Sequence, residues 1–104
     1  MKLNIVYITA RDKEEAQSIG RTLVEARLAA CVNVIDGMKS LYWWDAAIQE
    51  DHEAVLIAKT KESLLPELVD KVNSIHSYDC PCVISWPISG GNRAYLDWLA
   101  SETR

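Results

Sequence analysis

The run LNIVYITA at residues 3–10 gives way, two residues on, to a helical stripe, and this change of pattern constrains the fold more than any other feature. A short continuous apolar run rich in β-branched residues reads as a fully buried strand. Asp12 with Glu15 three residues later has capping-box spacing, and Ala16, Ile19, Leu23 and Ala26 follow at helical intervals. RLAACVNVI returns to strand chemistry. The segment from Cys31 to Trp43 is long for one strand, and Asp36-Gly37 within it suggests a bulge or bend. WDAA at 44–47 is expected to turn the chain into a second long strand that runs to Lys59. Ser63 is placed to cap a second helix, with Pro66 tolerated in its first turn and Leu65, Leu68, Val69, Val72 and Ile75 as its apolar stripe. Residues 82–87 read as a short fourth strand. Asn92 can cap a last helix, whose expected packing face is Tyr95, Leu96, Trp98 and Leu99.

The order is therefore β-α-β-β-α-β-α. Its first six elements are the split pattern of ferredoxin-like folds, an α+β sandwich with a four-stranded antiparallel sheet and two helices on one face. With 104 residues the chain has length for one domain, residues 1–104, and not for two. Such a sheet leaves its second face bare. The central hairpin is also longer than the sheet needs, and it carries Leu41, Tyr42, Trp43 and Trp44 at or near its tip. These four residues are the expected interface with another copy, since an aromatic tip in solvent marks a protein contact. The alternative is that the rings fold back onto their own domain.

The 11 basic residues are scattered singly and the formal net charge is −4, so the electrostatic footprint of a nucleic-acid binder is missing. The apolar run before Arg11 is too short for a signal segment or a membrane span, which predicts a cytoplasmic protein with no membrane partner. Three cysteines there should be reduced, and an odd count argues against a disulfide framework. No nucleophile elbow, phosphate-cradling glycine loop or His-Glu-x-x-His motif is present, so no enzymatic activity is expected.

The stretch HSYDCPC, residues 76–82, holds the densest chemistry. His76, Cys80 and Cys82 are the candidate ligands for a soft metal, copper or another cation. Pro81 biases Cys80 toward an extended backbone, so the two thiols can point to one side. Three ligands make an incomplete site for copper(I) or zinc. In the plainer reading Cys82 packs in the core, Cys80 is half-exposed, and His76 is a hydrogen-bond partner at the helix end. Cys31 is expected to be buried packing. His52 lies in QEDHEA, an acidic run that reads as a solvated strand edge.

Five blocks, in order and compatibly spaced, resemble the CutA divalent-cation tolerance family: RLAACVNV (27–34), SLYWW (40–44), KT (59–60), HSYDCP (76–81) and GNRAYLDWL (91–99). The resemblance covers nearly the whole chain. It implies a ferredoxin-like subunit in a tight homotrimer, with long hairpins wrapping neighbouring subunits, and a role in tolerance to copper and other divalent cations. Copper ligands proposed in the family are a cysteine late in the first strand and a His-His pair. Ile8 and Ile75 stand at two of those positions here, and only His76 remains. Family members usually have glycine where Ala46 stands, so a shifted hairpin turn is expected. Lys59, Tyr78 and Asp79 could converge between subunits on a small anion. By fold analogy with nitrogen-regulatory PII proteins, this gives a rival reading as a trimeric effector sensor. A third reading is a trimeric scaffold for another protein.

Overall fold

The computed structural model describes residues 2–104, and Met1 lies outside the described residues. The elements are β1 (Leu3–Ala10), α1 (Lys13–Glu25), β2 (Cys31–Trp44), β3 (Ala47–Lys61), α2 (Leu65–Ile75), β4 (Val83–Pro87) and α3 (Arg93–Ser101). A single 3₁₀ turn, Glu62–Leu64, precedes α2. The sheet order is β2-β3-β1-β4 with every neighbouring pair antiparallel, as the ferredoxin-like pattern requires.

Helix starts follow side-chain chemistry in two of three cases. Asp12 accepts the Glu15 backbone N–H at 2.8 Å, and Asn92 accepts that of Ala94 at 3.1 Å. Ser63 does not cap α2. It lies inside the 3₁₀ turn, and α2 starts without a side-chain cap, with Pro66 in its first turn. Helix α1 ends in a Schellman arrangement, Leu28 N–H to Leu23 O at 2.9 Å and Arg27 N–H to Val24 O at 3.0 Å. Arg27 takes the left-handed position there, at φ 60°.

One face of the sheet meets α1 and α2. Val6, Ile8, Leu56 and Ala58 from the strands pack with Ile19, Leu23, Leu68 and Val72 from the helices, all essentially inaccessible to water. Gly20 permits the close approach of α1, because a Cβ there would lie 2.9 Å from Val32 Cγ2 and 3.0 Å from Leu56 Cδ1.

The opposite face carries Ile35, Ile84 and Trp86, all exposed. Helix α3 touches this face only in part. Leu99 is its one buried residue, while Tyr95 and Trp98 remain partly exposed, so the expected packing face is only incompletely covered within one subunit.

Two backbone features shape the hairpin. Ile35 pairs with Val55 and Met38 with Glu53, so Asp36 and Gly37 together oppose Ala54 in a β-bulge, with Gly37 at φ 81°. The bulge moves the other set of β2 side chains onto the helix-free face: Met38, Ser40, Tyr42 and Trp44 join Glu53 and Asp51 there. At the tip, Trp44 pairs with Ala47 across a two-residue turn in which Asp45 and Ala46 have φ 54° and 59°. Two successive positive values mark a type I′ turn. The expected shift of turn type does not occur; Ala46 adopts the left-handed backbone that the pairing demands.

Candidate functional site

Beyond the bulge, the helix-free face forms a cavity of about 640 Å³. Strand β1 supplies Tyr7 and Thr9, β2 supplies Met38, Ser40, Tyr42 and Trp44, and β3 supplies Asp51 and Glu53. The rim is the segment between α2 and β4, through Ser77, Tyr78, Asp79, Cys80 and Cys82.

That segment is fixed from beneath by two side chains. Glu15 Oε2 accepts the Ser77 N–H at 2.9 Å, and Oε1 accepts both the Ser77 hydroxyl at 3.0 Å and the Arg11 N–H at 2.9 Å. Burial pushes the Glu15 carboxyl up, but these hydrogen bonds outweigh it and hold the group below the usual glutamate value. His76 Nδ1 accepts the Tyr78 N–H at 3.0 Å, which leaves Nε2 as the protonated nitrogen, donating to Thr9 O at 2.8 Å. The His76 and Tyr78 rings lie 4.7 Å apart, tilted by 51°. Tyr78 is thereby aimed inward, and its hydroxyl donates to Glu53 Oε2 at 2.9 Å. Burial, then this bond to a carboxylate, pushes the Tyr78 phenol well above its usual range. Tyr42 donates likewise to Asp51 Oδ2, which raises its phenol too.

His76, Cys80 and Cys82 do not form the candidate metal set within one subunit. Both ring nitrogens of His76 are engaged by the main chain, so the histidine has no lone pair to give. Cys80 is exposed and Cys82 half-buried, with burial raising the Cys82 thiol away from the thiolate that a metal needs. Cys82 also lies just before β4 rather than within it. Among the described residues, no group of three or more His, Cys, Asp or Glu side chains is placed to hold a metal ion.

Lys59 stands apart from Tyr78 and Asp79 in the subunit. It pairs with Cys31 and Ile5, six positions along β3 from Glu53, or about 20 Å of extended strand. Its ammonium donates to Asn33 Oδ1 at 3.1 Å and Tyr95 Oη at 3.3 Å, and lies 3.9 Å from Cys31 Sγ. Cys31 is half-buried on this face rather than in the core. Leu41, Tyr42, Trp43 and Trp44 are all exposed, Trp43 by 73%.

Glu15, Glu53, Asp51, Met38 and Tyr7 escaped the sequence reading as site residues. Asp51 and Glu53 alternate across His52, which is the spacing of two side chains on one strand face. That was the available signal. Which face they share depends on the bulge.

A profile described as CutA1 divalent ion tolerance protein matches residues 4–102. The chloroplastic protein CutA 1 of Oryza sativa subsp. japonica is 46% identical over 100 residues, covering 96% of this chain and 56% of that protein. The chain thus spans about half the length of the plant relatives it matches. The divalent-cation tolerance protein CutA of Thermus thermophilus is 43% identical over 99 residues, covering 95% of this chain and 96% of the relative. The crystal structure of CutA1 from Oryza sativa superposes with a TM-score of 0.98 at 44% identity, covering 100% of this chain and 95% of that one. The Thermus thermophilus structure gives 0.96 at 42% identity, covering 98% and 99%. The profile match over residues 4–102 and the identity over nearly the whole of this chain agree: this chain belongs to the CutA1 family.

Proposed function

We propose that the protein acts as a cytoplasmic homotrimer with a role in tolerance to copper and other divalent cations, and that it is not an enzyme. The observation that carries this reading is the helix-free sheet face. Ile35, Ile84, Trp86 and the hairpin's Trp44 leave it apolar and exposed in one subunit, a surface suited to other copies of the same chain. The names of the relatives supply the tolerance role. No helix among the described residues is long and apolar enough to cross a membrane.

Metal is handled, in this reading, by the assembly rather than by a ligand set inside one subunit. Two measurements test it. Sedimentation of the purified chain should give three subunits at micromolar concentration; a monomer would sink the assembly. Cells lacking the protein should grow less well in graded copper, and the chain should restore growth. Equal growth with and without it would sink the tolerance role.

A second reading, as a sensor of small anions, is favoured by Lys59. Among the described residues its ammonium forms no ion pair and is held only by neutral groups. A cation in that setting can take an anionic ligand at a subunit boundary.

A further inference from the structure

A second copy seated on the helix-free face buries charge that one copy leaves uncompensated. Asp51, Glu53 and Asp79 border the cavity there, and no Lys, Arg or His lines it. Asp51 and Glu53 each accept a phenol hydrogen bond, from Tyr42 and Tyr78. Asp79 forms no ion pair among the described residues. Covering carboxylates without bringing them a cation is costly, so the surface that covers them has to supply one.

Few cations of this chain are free to do so. Lys2, Arg11, Arg21, Arg27, Lys39 and Arg104 already pair with carboxylates of their own copy. Lys13 and Lys71 lie on α1 and α2, on the other side of the sheet. Lys61 donates to the Thr103 and Arg104 carbonyls, and Lys59 is held by Asn33 and the Tyr95 hydroxyl. Arg93 remains. It is exposed, forms no ion pair among the described residues, and opens α3. That is the positive end of the helix dipole, where a cation without an anionic partner is unfavourable.

Helix α3 lies against the same face at its other end, where Tyr95 meets Lys59. One face therefore carries an acidic end and a basic end. A closed ring of three is made of head-to-tail contacts, in which each copy presents two unlike surfaces that fit one another. The lining also suits arginine better than lysine. Tyr7, Tyr42, Trp44 and Tyr78 put aromatic rings around the carboxylates, and a planar guanidinium stacks on rings while pairing with a carboxylate. Arginine in a concave, aromatic pocket is a frequent anchor of protein interfaces.

We propose that Arg93 of one copy enters this cavity on a neighbouring copy and pairs with Asp79 at its rim. The proposal rests on the assembly reading and adds to it which two surfaces meet.

The test is sedimentation of the whole chain at graded dilution in sub-denaturing urea, with circular dichroism to confirm the fold of each variant. Arg93→Glu and Asp79→Arg, both at exposed positions, should each raise the concentration at which the assembly dissociates by at least about tenfold. Made together they exchange the two charges, and most of that loss should be recovered. A structural role for either residue gives no such recovery. Should a reversal fail to fold, Arg93→Gln and Asp79→Asn serve instead, each weakening assembly severalfold and no further when combined. Single variants that assemble like the parent, or a charge exchange no better than either reversal alone, would overturn the contact and leave the assembly standing. Recovery of Asp79→Arg by Lys59→Glu in place of Arg93→Glu would overturn the choice of Arg93. A monomeric parent would sink the assembly reading itself and the contact with it.

Discussion

Glu15 and Ser77 stand 62 positions apart, yet one carboxylate joins them, Oε2 to the Ser77 amide at 2.9 Å and Oε1 to its hydroxyl at 3.0 Å. The same Oε1 closes the start of α1 through Arg11, so one side chain holds a helix entry and the rim of the cavity together. In a capping box the third-position glutamate reaches back to the cap residue's own N–H. Glu15 reaches one residue further and spends its second oxygen on tertiary structure.

This contact predicts a pH dependence. Because the folded carboxyl titrates below its ordinary value, its stabilisation is complete above about pH 4.3 and is lost as pH falls through the lower folded value. Glu15→Gln should destabilise the protein by about 1–3 kcal/mol at neutral pH, through imperfectly satisfied buried donors. It should also flatten the acid limb of the stability curve. Urea melts of both proteins from neutral pH to pH 3 measure this, and parallel acid limbs would show that Glu15 is not the group responsible.

Ala46 predicts a gain. A non-glycine residue in the left-handed region costs about 1–2 kcal/mol, and the type I′ turn holds Ala46 there at φ 59°. Ala46→Gly should recover about 1 kcal/mol, since glycine's greater unfolded-state freedom offsets part of the relief. Thermal melts should place the variant above the parent, and a lower midpoint would mean that Ala46 makes a contact worth more than the strain.

The element order was legible because each element carries its own period or cap: β1 as an apolar run, α1 from Asp12, α3 from Asn92. Gly37 was legible as a bulge for the same local reason. Its consequence was not. A bulge exchanges the faces of every later β2 residue, so Tyr42 and Trp44 turn to the cavity while Leu41 and Trp43 take the other side. Glu53, read as part of a solvated acidic edge, is buried because Tyr78 arrives from 25 positions away. Local pattern carries no information about that meeting. Tyr95 and Trp98 show the converse: helical spacing marked them as a packing face, but spacing does not say whose surface they meet.

His76 was a ligand candidate by composition and is a structural link by geometry. Its two nitrogens join Thr9 O to the Tyr78 amide, so His76→Ala should leave a buried acceptor and donor without partners, at about 1–3 kcal/mol. Copper(I) affinity, measured by competition with a chromogenic chelator, should not change. A large fall in affinity with unchanged stability would restore His76 as a ligand.

The hairpin tip should matter to assembly more than to the fold of a subunit. Trp43 is 73% exposed and Trp44 57%, so neither contributes much packing within one copy. Truncation of either to Ala should cost about 2–4 kcal/mol if the ring is an anchor between copies. The expected result in sedimentation is dissociation at concentrations where the parent stays assembled. Unchanged assembly in both variants would place the interface elsewhere on the sheet.

Lys59 separates the anion-sensing reading from a plain structural role. Its ammonium sits over the Tyr95 ring, 5.6 Å from the centroid, with Asn33 and the Tyr95 hydroxyl as neutral acceptors. A lysine that merely lies along apolar surface would need none of these partners. Lys59→Met keeps most of the packing volume and removes the charge and its donors. Because the lost hydrogen bonds are to exposed groups, stability should change by less than about 1 kcal/mol. Binding of phosphate or a small carboxylate, read by calorimetry, should fall sharply if an anion pairs with the ammonium. If phosphate binds parent and variant alike, or binds neither, Lys59 is a structural lysine that fixes α3 against the sheet.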